Sequence, residues 1–476
     1  MLFYSTTIFL IRDPFRKVFL SSDVPLSVVI THTWFAPILC PFIAILLYFC
    51  FWLPFTTLPS TSLVPSYSFA LSTFAISAWL ESFAEPYVIL SLRYGLDAQY
   101  AFIQAFLLIM QRVFVLVLVN TMSFVPVYAF CFAQVLSSCC YTLLCIYLLI
   151  SNIRRAGISI KGFDVVYLYP HFPGALSKEN MSVLGTFMVH SIFKQVLTDG
   201  TGYVLTFTNF FTLSDQAVFD AVEKIGSLVA RIIFAPVEHS AYLYFSSCFR
   251  RASSMESRNE VEVKKGLNAM NGLLHIVAVI GIVVFTFALT YSPLVVKLYG
   301  GDLLVNSLGA NILRFYCFYI IVIAINGVTE CFAMATMSKE QLCSHGWFLV
   351  LSSPLHILLS SLLSYVLGSY GLILANVINM VMRIAYCWQH VRRFSCGQVN
   401  FLKIFPDFST NFILFFCLII TSISLLIFGQ VDGIMYSAAH VAVGGALLLV
   451  VVNHVYQNDI QLAKFLHDRF LEVHED

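Results

Sequence analysis

Long apolar runs recur along the whole chain, and they constrain its fold more than any other feature. A bilayer's hydrocarbon core is about 30 Å thick and takes about 20 helical residues to cross. Runs of that order fall at 27–53, 66–90, 99–119, 124–150, 186–211, 216–247, 268–296, 311–337, 345–367, 370–391, 409–429 and 434–456, separated by short polar joints. Only 11% of the 476 residues are charged and 59% are hydrophobic. A soluble domain has about 25% and about 45–50%. No water-soluble fold hides so much apolar surface, so a cytosolic enzyme, a secreted module and a disordered scaffold are excluded. The net charge of +1 offers no field for nucleic acid, and none is expected as a partner. The expectation is an all-α polytopic membrane protein of about twelve full spans plus a partial one, with the lipid bilayer as its surroundings.

Lys and Arg set the orientation. One set of alternate joints carries nineteen of them, including Arg12, Arg16, Lys17, Arg93, Arg392 and Arg393, and the opposite set carries only Lys297. By the positive-inside rule the first set is cytosolic, and so is the C-terminal tail. Residues 1–10 are apolar but too short to cross, and they read as the exit end of a preceding span. The expectation is therefore that an N-terminal hairpin is incomplete.

The joints divide the chain into an N-terminal lobe at 1–150, a cytosolic linker at 151–185, a second lobe at 186–391, a joint at 392–408, a final hairpin at 409–456 and a tail at 457–476. Two lobes of similar span count suggest a duplicated transporter with its site between them near the midplane.

A charge at the bilayer centre costs roughly 2.5–3.5 kcal/mol on insertion scales, so intramembrane charges face a cavity or a partner. They gather in 186–211 and 216–247, which hold Lys194, Asp199, Asp220, Glu223, Lys224, Arg231 and Glu238. Gly200 and Gly202 follow Lys194 and Asp199 and mark a weak point in the helix, or a packing notch. Lys224, Arg231 and Glu238, seven apart, fall on one stripe, and Pro236 kinks it. Arg231 is either a phosphate contact or one half of an ion pair with Glu238. Glu81 and Glu85 stand at i, i+4 and repel, so one holds a proton or meets a base such as Arg112. Asn326 and Glu330 repeat that spacing around Gly327, and Arg383 snorkels to the cytosol. No G-x-x-x-x-G-K-[ST], D-x-D or zinc-type Cys/His spacing occurs, so no enzymatic activity, cofactor or metal is expected.

These segments also carry a resemblance. Lys194-Gln195-Val196-Leu197-Thr198-Asp199-Gly200 is similar to the K-Q-x-L-T-[DE]-G motif of the eukaryotic Rft-type oligosaccharide translocation proteins. Asp215-Gln216 through Asp220, and Gly226-Ser227-Leu228-Val229-Ala230-Arg231 through Pro236 and Glu238, resemble that family's D-Q-x-x-x-D…G-S-L-V-A-R-x-x-F-x-P-x-E block. Asn326 through Glu330, Glu81 through Pro86 and Tyr4 through Arg16 match further segments. His239 and Gly202 depart from it, where a Glu and a Lys are usual.

The resemblance implies a fold similar to the multidrug and polysaccharide flippases, with two pseudo-symmetric helical lobes plus a C-terminal hairpin. It implies residence in the endoplasmic reticulum membrane and movement of dolichol-linked oligosaccharide to the lumenal leaflet for N-glycosylation, alongside the glycosylation machinery. Lys194 and Arg231 are then candidates for the diphosphate. Glu81, Glu85, Asp199, Glu238, Asn326 and Glu330 are candidate polar groups of the cavity. Two other activities fit the same sequence: a non-transporting factor that binds the glycolipid or organises lumenal glycosyltransferases, and a cation-coupled exporter using Glu81 and Glu85.

Overall fold

The structure, a computed structural model, describes residues 1–20, 26–56, 66–93, 96–122, 125–155, 178–250, 260–305, 308–395, 401–428 and 433–458. Among the described residues there is no β-strand. They divide into two compact units, Met1–Asn209 with Leu349–Pro354, and Phe210–Phe348 with Leu355–Asp476.

The first unit holds α1 (Leu2–Phe19), α2 (Leu26–Thr33), α3 (Phe35–Leu47), a π turn (Tyr48–Trp52) leading into α4 (Leu53–Phe55), then α5 (Tyr67–Ser82) and α6 (Glu85–Arg93). It continues through α7 (Asp97–Met122), α8 (Pro126–Arg155), α9 (Lys178–Thr198) and α10 (Gly200–Phe207). At its centre α1 packs on α3, α5 and α9. Ile11, Phe15 and Phe19 are fully buried in a cluster with Ala36, Ile89 and Leu184. Leu2–Phe19 thus form one continuous helix that runs into the expected joint at 11–26. Arg12 and Arg16 find carboxylates inside the unit, so they do not end the helix.

The second unit holds α11 (Leu213–Val229), a π segment (Ala230–Phe234), α12 (Ala235–Arg250), α13 (Glu260–Val305), α14 (Gly309–Thr336), α15 (Lys339–Leu367) apart from Leu349–Pro354, and α16 (Ser369–Phe394). A short 3-10 turn (Phe401–Ile404) leads to α17 (Phe408–Phe428) and α18 (Ile434–Asn458). The hub is α14, which packs on α11, α12, α13 and α16. Side-chain caps start two of the helices: Thr212 with Asp215 opens α11, and Ser338 with Gln341 opens α15. Gly368, at φ +58°, turns α15 directly into α16, a conformation that glycine adopts without strain. The final hairpin packs on α13. There Tyr291 donates to the His440 carbonyl at 2.7 Å and stacks on its ring at 4.2 Å.

Nine helices among the described residues are long and apolar enough to cross a membrane. Their outer faces carry exposed Phe102, Leu116, Leu351, Leu358, Phe412 and Leu426, as a lipid-facing surface requires. Four expected spans are broken helices. The run 27–53 breaks at Trp34 and passes through the π turn, 66–90 stops and restarts at Phe83–Ala84, 186–211 breaks at Asp199, and 216–247 passes through the π segment. The first unit also extends to Asn209, beyond the linker at 151–185 where the sequence suggested the divide. The reason is local: α9 lies against α1 through Ser191, Lys194 and Asp199. Most of that linker, at 156–177, and the tail from 459 lie outside the described residues.

Candidate functional site

The strongest polar arrangement is buried in the first unit. α5 and α6 meet at the short break of Phe83–Ala84, which presents Glu81 and Glu85, both fully buried, to α1. Arg12 lies one helical turn before Arg16, so their spacing matches that of the two carboxylates. Arg12 donates from Nη2 to Glu81 at 2.7 Å and from Nε to Glu85 at 2.8 Å. Arg16 donates from Nε and Nη2 to Glu85 at 2.9 and 2.8 Å. Ser138 donates to Glu81 at 2.8 Å, and the Tyr4 hydroxyl donates to the same oxygen. The Arg12 guanidinium also lies over the Tyr141 ring at 5.3 Å, and that of Arg16 over Tyr100 at the same distance.

This arrangement corrects one expectation. Arg112 is exposed, and the bases that meet Glu81 and Glu85 are Arg12 and Arg16. Isolated buried carboxylates would carry a large desolvation cost, and two guanidiniums with two hydroxyl donors offset it.

Arg12 and Arg16 also border a cavity of about 650 Å³ among α1, α7 and α9. The glutamates behind them are shut off from solvent, while the side chains of Arg12 and Arg16 remain 16% and 22% exposed. The cations therefore face the opening and the anions back them. Among the described residues Nη1 of either guanidinium makes no hydrogen bond to the protein, so each fork keeps donors for a ligand. At its other end the cavity is bordered by Ser5, Gln195, Thr198 and Asp199. No group of three metal-ligating side chains occurs among the described residues.

The predicted residues fall in two places. Lys194 is half-exposed beside the cavity, paired to Asp13 at 2.9 Å and lying over the Phe9 ring at 5.4 Å. Asp199 sits at the α9–α10 break and borders the cavity itself. Gly202 faces Leu2, as a packing notch does. In the second unit, Arg231 is exposed within the π segment. It makes no ion pair with Glu238 among the described residues, and the π segment between them takes more residues per turn, which breaks the stripe. The Glu238 carboxylate instead packs over Gly327, where an added Cβ would overlap it. Asn326 donates to Glu330 at 3.0 Å, and Arg383 donates to both Glu330 oxygens at 2.7 and 2.6 Å. Arg383 is thus a partner of Glu330 and does not snorkel. The structure brings Glu81 with Glu85, and Glu238 with Asn326 and Glu330, into two separate clusters.

The charge pattern of the sequence puts Arg12 and Arg16 in a cytosolic joint, not in a site. The available signal was their i, i+4 spacing, which repeats that of Glu81 and Glu85.

Long apolar helices with ion pairs buried among them define, over the described residues, a polytopic membrane protein. Two solved structures share this fold. One, "Lipid II flippase MurJ, inward closed conformation", aligns with a TM-score of 0.61 at 13% identity over 96% of this chain and 93% of its own. The other, an inward-facing multidrug resistance MATE family transporter, aligns with a TM-score of 0.61 at 12% identity over 84% and 89%. The chain belongs to the Rft-1 (Rft protein) family, whose model matches residues 1–469. It is 36% identical, over 100% of its own length and 91% of the relative's, to a Caenorhabditis elegans protein named Man(5)GlcNAc(2)-PP-dolichol translocation protein RFT1. A Mus musculus protein of the same name is 31% identical over 98% and 88%.

Proposed function

We propose that this chain carries a dolichyl-diphosphate-linked oligosaccharide from the cytosolic to the lumenal leaflet of the endoplasmic reticulum membrane, in support of N-glycosylation. The cargo is taken from the name its relatives bear, Man(5)GlcNAc(2)-PP-dolichol translocation protein. One observation carries the reading: two guanidinium forks, fixed by buried glutamates, border a cavity and keep unengaged donors. A guanidinium suits phosphate oxygens because it is planar, always charged and bidentate. A sugar–diphosphate head cannot cross hydrocarbon uncompensated, and a polar cavity replaces its water while the polyprenyl tail stays in lipid. Arg12 and Arg16 hold the diphosphate, and Lys194 adds a third cation beside them. The chain acts by binding and release, without chemistry on its cargo.

Reconstitution of the full chain in vesicles with a fluorescent dolichyl-diphosphate oligosaccharide tests this. Leaflet transfer above protein-free vesicles is expected, slowed about tenfold or more by Arg16→Gln. No transfer above empty vesicles overturns the transport reading and leaves a glycolipid-binding factor.

A further inference from the structure

We infer that Ser5, Gln195 and Asp199 form a sugar-reading end of the same cavity, which selects cargo by the rings nearest the diphosphate. This rests on the assignment of the diphosphate to Arg12 and Arg16.

The two ends of the cavity differ in chemistry and are set apart by a known length. α1 and α9 run antiparallel, since Ser5 bonds Asp199 at 3.2 Å while Asp13 accepts from Ser191 at 2.6 Å and from Lys194 at 2.9 Å. Along α1, Ser5 precedes Arg12 by about 10 Å of rise and Arg16 by about 16 Å. A diphosphate seated on the arginines ends well short of Asp199. The gap is filled by whatever is joined to the diphosphate on the side away from the lipid.

The far end is built for hydroxyls and against phosphate. Oδ2 of Asp199 accepts from Ser5 and, at 2.6 Å, from Gln195, and the group has no cation partner among the described residues. Oδ1 accepts no hydrogen bond from them, so Asp199, which borders the cavity, keeps one carboxylate oxygen without a donor. A carboxylate without a counter-ion repels phosphate and accepts from sugar O–H and N–H groups. Thr198 adds a hydroxyl, and Ile8 and Phe9, between the two ends on α1, offer apolar surface to a ring face. A bare polyprenyl diphosphate satisfies only the arginine end. Rings beyond the reach of Asp199 add nothing, so the outer sugars go unread.

The test is equilibrium binding to the purified full chain in lipid nanodiscs. Four short-chain polyprenyl diphosphates serve as probes: one without sugar, and one each with GlcNAc, GlcNAc(2) and Man(5)GlcNAc(2). The GlcNAc(2) probe is expected to bind about tenfold or more tighter than the sugar-free one, with the mannoses adding less than about twofold. Asp199→Ala is expected to bring the GlcNAc(2) probe down to the affinity of the sugar-free one. Gln195→Ala is expected to lower it in the same direction, and it stands in if Asp199→Ala does not fold. Equal binding of all four probes to the unaltered chain overturns the inference, as does a full sugar-dependent gain retained in both variants. Arg16→Gln separates the two readings. It is expected to weaken all four probes alike, and if it weakens none the diphosphate assignment fails whatever the sugars do.

Discussion

Arg12 bridges two carboxylates: its Nη2 lies 2.7 Å from Glu81 and its Nε 2.8 Å from Glu85. Arg16 closes on Glu85 alone. The two arginines are therefore unequal. Removing Arg12 leaves Glu81 with hydroxyl donors only, in a site fully closed to solvent, and leaving a buried charge unpaired costs about 3–5 kcal/mol. Removing Arg16 leaves both glutamates paired to Arg12.

The expected outcome is a clear fall in melting temperature for Arg12→Gln and a much smaller one for Arg16→Gln, read by thermal unfolding of detergent-purified protein. Glu81→Gln with Arg12→Gln together should recover part of the loss, since the orphaned charge is gone. Equal shifts for the two single variants would contradict the bridging geometry.

The helices were legible in the sequence because the bilayer imposes a length and a hydropathy on each of them. Breaks were harder to read. Asp199 with Gly200 signalled one and Pro86 another, since it has no N–H for the Ser82 carbonyl, but neither says that the break at Phe83–Ala84 turns Glu81 and Glu85 toward α1. Pairings across the unit were the least legible. Glu81 and Glu85 announced that they needed a base, yet nothing local says whether it comes from Arg112 on α7 or from Arg12 and Arg16 on α1. Arg12 and Arg16 also fit the charge asymmetry of a cytosolic joint, so the stronger pattern absorbed them. Arg383 was misread for the same reason: near a helix end, a basic side chain fits both an interfacial anchor and an internal partner, and only packing against α14 decides.

Arg383 and Glu330 make the second prediction. Both side chains are nearly buried, at 16% and 15% exposure, and Nη2 of Arg383 donates to both carboxylate oxygens. A double-mutant cycle with Arg383→Gln and Glu330→Gln should give a coupling above about 1 kcal/mol, with each single change more costly than the double. A coupling within the scatter of exposed pairs, about 0.2 kcal/mol, would return Arg383 to the interface.

Gly371 and Gly327 make a third, comparative prediction. An added Cβ at Gly371 overlaps the Leu363 carbonyl in the turn between α15 and α16, where backbone cannot yield. At Gly327 it overlaps the end of the Glu238 side chain, which can turn away. Gly371→Ala is expected to destabilise by about 1–3 kcal/mol and Gly327→Ala by less. Glu238→Ala should relieve Gly327→Ala and leave Gly371→Ala unchanged, as measured by thermal unfolding of the paired variants.

Arg231 tests whether the second unit contributes to cargo handling. It is exposed on the π segment and makes no ion pair with Glu238 among the described residues. A π segment interrupts regular helical bonding, and such interruptions recur at functional positions. If Arg231 engages phosphate, Arg231→Ala should leave protein abundance unchanged while complementation of an N-glycosylation defect falls. Arg231→Lys should restore only part of it, because a point charge replaces a bidentate fork. If instead Arg231 is held in a structural contact, abundance and complementation fall together, and Arg231→Lys restores both in parallel. Quantitative immunoblotting beside a glycoprotein mobility assay reads the two quantities from the same cells, so loss of the protein and loss of its action are told apart.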